Sequence, residues 1–325
     1  MAGNSKVSMR LVMDVLDSGK EADRNRLQHV SLAILVDLKA ERSLIMALKE
    51  ALLPEHGNAD VRVTSLGDNP MALAFQPDLC IVIAGGSDDL VSGAVGRYAR
   101  WGVPVAIVAE SVLDAPEPSL PPGLEHLVTI IVSSNYQTLL SHLARWMVGS
   151  TSKATAFAAN FPFCRRERVR SLVRACASQN ATIGARKMEH SDVTSMTTNQ
   201  VKMALEIAAS YGRPLTKERA QEIAGVVSAG MGYRSIARAA TTIVPGLGWA
   251  MKAGIGYAGT VATANALTSH FEREDAGLPP LPRVRAFASK AGSAAVSTLP
   301  TAMRIGRTIV GTGRAIAALG EGSQE

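Results

Sequence analysis

A chain of 325 residues is long enough for two ordinary domains, and 47% hydrophobic residues supply a sizeable core and exclude wholesale disorder. Aromatic residues are only 4% and charged residues only 19%, with 28 Gly, which favours close packing of small side chains over the aromatic stacking platforms of single-strand nucleic-acid binders. The net charge of +6 divides unevenly: residues 1–150 carry 12 Lys+Arg against 17 Asp+Glu, and residues 151–325 carry 22 against 11. An acidic half at −5 joined to a basic half at +11 is expected to form two domains with different partners. For the basic half the candidates are an anionic membrane surface, nucleic acid or an acidic protein.

Residues 1–28 read as an N-terminal extension. Its charges at Lys6, Arg10 and Asp14, and its lack of a long apolar core, do not fit a signal peptide. Cys80, Cys164 and Cys176 show no C-x-x-C spacing, so structural thiols in a reducing cytoplasm are expected. Residues 29–150 read as an α/β domain. Residues 29–37 (HVSLAILVD) are an apolar run rich in β-formers, and residues 41–53 follow with Leu44, Ile45 and Leu48 on one helical face. Residues 60–66 alternate like a strand. Residues 78–84 (DLCIVIA) and 103–109 (VPVAIVA) are continuous apolar runs, as strands buried on both faces require. Between them residues 88–101 read as a helix. Residues 127–132 are a fifth strand, and residues 136–147 close the unit as an amphipathic helix. Strands alternating with helices imply a parallel, doubly wound, Rossmann-like sheet with right-handed crossovers.

Such sheets bind ligands at the carboxyl ends of their strands. A phosphate loop there would read G-x-x-x-x-G-K-S/T, so that backbone N–H groups and a Lys surround the phosphates. After the first strand this chain has Asp37-Leu38-Lys39-Ala40-Glu41-Arg42, without a glycine, and no dinucleotide fingerprint. Gly85-Gly86-Ser87-Asp88-Asp89 does lie between a strand and a helix. Its N–H groups suit an anion, whereas its carboxylates repel one and suit a helix N-terminus. The order of elements is similar to that of small GTPase domains. Where those carry the guanine-reading N-K-x-D, this chain has Val108-Ala109-Glu110-Ser111. The resemblance therefore implies a degenerate, nucleotide-free relative; a convergent α/β fold explains the pattern equally well.

Residues 151–193 read as a basic helical linker. Arg165, Arg166, Arg168, Arg170 and Arg174 are the densest charge run, and Val169, Leu172, Val173 and Cys176 share a helical face. The basic exterior is either a solvated face or a contact for phosphate, lipid or an acidic partner. No base-reading element accompanies it, so nucleic acid is a minor option. Thr197 and Gln200 have capping-box spacing and are expected to open a helix to about Ser210, stopped by Gly212 and Pro214. Thr216 is expected to cap a second helix. Pro245-Gly246 marks a turn, and a Gly/Ala-rich helix follows over residues 249–267. Its Gly254-x-Gly256-x-x-Gly259 does not follow a strand, so close helix packing is expected, not a dinucleotide site. Residues 253–271 carry no Asp, Glu, Lys or Arg and would span a bilayer, but Gly, Thr and Asn dilute their apolarity, and Arg234, Arg238 and Lys252 oppose insertion. A partner-packed hairpin and a membrane-inserted one both stay open.

The paired helices around Gly212-Arg213-Pro214-Leu215-Thr216, the segment Val244-Pro245-Gly246-Leu247-Gly248-Trp249, and Ala258-Gly259-Thr260 carry a resemblance. Over residues 194–267, roughly a quarter of the chain, the sequence resembles the YcjF-like, GTPase-associated family of bacterial domains of unknown function. Members of that family occur fused to, or beside, GTPase domains, and some are inner-membrane proteins. The resemblance implies a GTPase partner and proximity to the inner membrane; it carries over no catalytic residues. Pro245, Gly246, Gly248, Trp249 and Gly259 are the residues expected to shape its helix packing.

Residues 194–270 are thus read as a helical hairpin domain and residues 271–325 as a basic amphipathic tail. Between residues 281 and 319 there are six Lys or Arg and no acid. Arg304, Arg307 and Arg314 share one helical face, with Ile305, Ile309, Ile316 and Leu319 opposite. This tail suits anionic lipid, or its apolar face docks on the hairpin. His29, His56, His126, His142, His190 and His270 show no zinc spacing, and G-x-S-x-G is absent. The expectation is a non-enzymatic interaction module without cofactor or metal, cytoplasmic or peripheral at the membrane face, partnered by a GTPase or by further copies of itself. The alternatives are a membrane-inserted hairpin protein and a nucleotide or small-anion sensor acting through the α/β domain.

Overall fold

The computed structural model describes residues 9–67, 76–118, 120–185, 190–216 and 248–278. The chain divides into two compact bodies, one of residues 23–168 with 209–213, the other of the remaining chain.

The first body is built on five strands: β1 Val30–Val36, β2 Ala59–Ser65, β3 Leu79–Ile83, β4 Val105–Ala109 and β5 Val128–Val132. All pair in parallel, in the order β2-β1-β3-β4-β5. The register sets Ile34 beside Ile81 and Ile107 beside Ile130. The continuous apolar runs become the central strands: every residue of β3 and β4 is buried. The edge strands are only half covered, and Val63 on β2 and Ile130 on β5 stay 64% and 41% exposed.

Helix α1 spans Met9–Leu27, inside the segment read as an extension. Helix α2 (Arg42–Ala51), helix α3 (Asp88–Arg100) and helix α4 (Tyr136–Gly149) fall where the periodicity places them. Helix α5 (Ala154–Asn160) follows, then α6 (Pro162–Ala185). One face of the sheet packs Ile34, Ile81, Ile83 and Val108 against Leu44 and Leu48 of α2, Leu139 and Leu143 of α4, and Phe157 of α5. The other packs Leu35, Val82 and Ile107 against Val91, Val95 and Tyr98 of α3. Each fully buried Leu, Ile or Val contributes roughly 1.5–3 kcal/mol.

Residues 151–168 depart from the linker reading. Every residue of α5 is buried, and Phe157 stacks on Phe161 with ring centroids 5.9 Å apart. The fully buried Asn160 accepts from the His56 N–H through its side chain and from the Glu55 N–H through its carbonyl. A short Ala-rich helix buried on all sides has no amphipathic period, so its sequence resembles a connector.

In the second body, helix α7 spans His190–Ser210 and helix α8 spans Gly248–Asp275. Thr197 lies inside α7, one of the expectations the structure corrects: the helix begins seven residues earlier. Gln200, the other half of the supposed capping box, instead reaches Thr260 of α8, with Nε2 donating at 3.3 Å. The stop signal holds: α7 ends at Ser210, and Gly212 takes φ +72 with its N–H on the Ala209 carbonyl. A buried polar seam joins these helices. Asn180 of α6 donates to Thr260 at 3.1 Å and Asn199 of α7 donates to Asn180 at 3.3 Å, while the buried Thr263 hydroxyl is satisfied within α8 by the Gly259 carbonyl at 2.9 Å. Gly259 is buried on α8, as close packing of small residues requires. No helix among the described residues is long and apolar enough to cross a membrane.

Candidate functional site at the carboxyl end of the sheet

In the order β2-β1-β3-β4-β5 the connections diverge between β1 and β3, and this is where doubly wound sheets leave a crevice. Two loops meet there: residues 37–41 after β1 and residues 84–87 after β3. They meet closely, since a Cβ on Gly85 would lie 2.1 Å from the Ala40 nitrogen, so only glycine fits.

Asp37 ties the two loops together. Asp37 is 3% exposed. Oδ2 accepts from the N–H of Gly85 at 3.1 Å and of Ser87 at 2.9 Å. Oδ1 accepts from the Lys39 N–H at 3.0 Å and the Ser87 hydroxyl at 3.0 Å. Burial alone would push the Asp37 pKa up, but these hydrogen bonds outweigh it and hold the carboxyl below its ordinary value. The Ser87 hydroxyl makes no capping bond to α3, because it is turned to Asp37. Two backbone donors of the Gly85-Gly86-Ser87 turn, those of Gly85 and Ser87, which the sequence offers to an external anion, thus hold an internal one.

Beside this knot lies a cleft of ≈ 220 Å³ lined by Lys39, Glu41, Leu44, Ala84, Gly85, Glu110, Ser111 and Asp114. It is smaller than the roughly 300–1,000 Å³ of small-molecule pockets. Three carboxylates face one ammonium, so its field repels phosphates. The surrounding loops turn large aliphatic side chains outward: Leu38 is 80% exposed, Leu90 48%, Val112 75% and Leu113 93%. Val112 and Leu113 sit on a 3-10 turn whose start is fixed by the Ser111 hydroxyl accepting the Leu113 N–H at 3.2 Å.

The arginine run of α6 separates into two sets. Arg166, Arg170 and Arg174 are exposed at four-residue spacing, as the basic face requires. Arg165, expected as a surface contact, differs: it is buried, ion-paired with Glu55 and set over the Tyr211 ring at 5.4 Å, so its charge is engaged within the α/β body. Arg168 donates twice to Thr155, at 3.1 and 2.9 Å. Gly248 and Trp249 open α8. Pro245, Gly246, Arg304, Arg307 and Arg314 lie outside the described residues, as do the helix expected after Thr216 and residues 279–325 of the basic tail, whose first residues, 271–275, are instead the end of α8.

The three cysteines are buried thiols outside any disulfide, and burial pushes the Cys80 and Cys164 thiols far up, away from nucleophilic use. Tyr98 is pushed up to about 12, first by burial and then by Cys80, against Arg97. Among the described residues no group of three or more His, Cys, Asp or Glu is placed to hold a metal ion. Sequence reasoning missed Asp37 and the aliphatic rim. Asp37 sits 48 residues from Gly85, and only the parallel pairing of β1 with β3 brings them together. Compared with known proteins, the chain matches no family profile, no curated protein and no solved structure.

Proposed function

We propose that this protein is a non-enzymatic interaction module that partners a GTPase at the cytoplasmic face of a membrane. The observation that carries the reading is the occupied turn: Asp37 takes the N–H groups of Gly85 and Ser87 at the position where a doubly wound sheet would hold a phosphate. Around it the surface offers Leu38, Leu90, Val112 and Leu113, a composition suited to protein contact. In this reading the α/β body is a Rossmann-like, nucleotide-free relative of small GTPase domains. The GTPase and the membrane enter through the resemblance of residues 194–267, and the exposed Arg166, Arg170 and Arg174 supply positive charge for an anionic surface or an acidic partner.

Affinity capture of the full chain from native membranes, followed by identification of what co-purifies, tests the partner; a GTPase is expected. Calorimetric titration with GTP and GDP tests the module, and silence is expected. Tight nucleotide binding or GTP hydrolysis by the purified protein would sink the non-enzymatic reading.

A further inference from the structure

We infer that the carboxyl-end rim of the α/β body receives a basic, amphipathic protein segment; this rests on the interaction-module reading and names the chemistry of one partner. Lys39, Glu41, Gly85, Glu110, Ser111 and Asp114 enclose one cleft, so the loops after β1, β3 and β4 converge. Their sequence neighbours Leu38, Val112 and Leu113, with Leu90 in the first turn of α3, are the exposed aliphatics. Four large apolar side chains held outward on short loops of one sheet end are what a docking surface presents.

Charge selects the occupant. Residues 38–42, 84–90 and 110–114 carry Glu41, Asp88, Asp89, Glu110 and Asp114 against Lys39 and Arg42. Asp37 is buried behind them and held ionised by its four hydrogen bonds, so it adds to the negative field. A nucleic acid, a phosphate or an anionic lipid is repelled by five carboxylates, and a small molecule finds too little volume. A segment with aliphatic residues along one side and Lys or Arg beside them satisfies both the rim and the charge.

The test uses the full-length protein and a synthetic 20-residue Leu/Lys helix with leucines at i, i+3, i+4 spacing. A peptide of the same composition with its apolar face scrambled is the control. The Leu/Lys helix is expected to bind saturably, at one site, and the scrambled peptide weakly. Leu113→Asp is expected to weaken binding by about tenfold or more, and Glu110→Lys with Asp114→Lys to weaken it further at low salt. Val63→Asp, at an exposed aliphatic of edge strand β2, is expected to leave binding unchanged. Leu38→Asp serves as a second rim variant. Equal binding of the scrambled peptide, or loss through Val63→Asp equal to that through Leu113→Asp, overturns the inference. Photocrosslinking from position 113 separates the two readings: a captured protein without Leu/Lys binding, or no captured protein, ends this inference alone, whereas affinity capture of the full chain without a GTPase ends the other.

Discussion

Between β1 and β5 the interior is largely aliphatic, with Ile81, Val82, Ile107 and Val108 fully buried. Between α6, α7 and α8 the fully or almost fully buried side chains include Asn180, Gln200, Thr260 and Thr263. The first interior needs only apolar volume and a register, and the backbone ladder supplies the register. The second has no ladder between helices, so directional side-chain hydrogen bonds fix which turn of α6 faces which turn of α8. Aliphatic contact tolerates small displacements, whereas a buried amide without its partner does not.

Four substitutions probe that contrast, the largest effect first. Phe157→Ala removes a fully buried ring stacked on Phe161 and is expected to cost about 3–5 kcal/mol in denaturant unfolding. Asp37→Ala leaves the Gly85 and Ser87 N–H groups unpaired between two tightly apposed loops and is expected to cost about 2–3 kcal/mol. Because the Asp37 pKa is lowered on folding, its contribution is present above the ordinary carboxylate pKa and lost as pH falls through the folded value. The stability gap between wild type and Asp37→Asn should therefore be full near pH 6 and shrink below about pH 4. A gap that stays constant from pH 6 to pH 2 would remove the charge argument.

Asn180→Ala opens the helical seam at Thr260 and Asn199, and about 1–2 kcal/mol is expected. The double variant Asn180→Leu with Thr260→Val should recover part of that loss, since both polar partners leave together; no recovery would show that the seam acts through packing alone. Leu113→Asp, on a side chain 93% exposed, should change the melting midpoint by no more than about 0.5 kcal/mol allows. A larger loss there would mean that the rim is structural, and the contrast between a rigid interior and a binding rim would fail.

The strands were legible because four apolar runs and one alternating segment of the right length are separated by turn residues and helical periods. Residues 78–84 and 103–109 read as doubly buried, and β3 and β4 are. Helix α5 was not legible, since an Ala-rich segment buried on every side shows no stripe. Thr197 misled because a local capping pattern was overridden: α7 runs through it, and Gln200 finds its partner on α8. Arg165 and Arg166 are neighbours in one charge run, yet one is buried against Glu55 and Tyr211 and the other is exposed. Composition assigns charge to a run of residues, and a helix then distributes it over faces about 100° apart.

The sequence by itself determined the alternation of strand and helix, the parallel sheet this implies, the lack of a phosphate loop, and the division of +6 into −5 and +11. Those properties are local, or are sums over residues, and need no contact between distant segments. The tertiary structure alone decided that the Gly85-Gly86-Ser87 turn is filled by Asp37, because a hydrogen bond across 48 residues exists only once β1 and β3 have paired. It also decided that Leu38, Leu90, Val112 and Leu113 share one end of the sheet, because parallel strands deliver their following loops to the same edge.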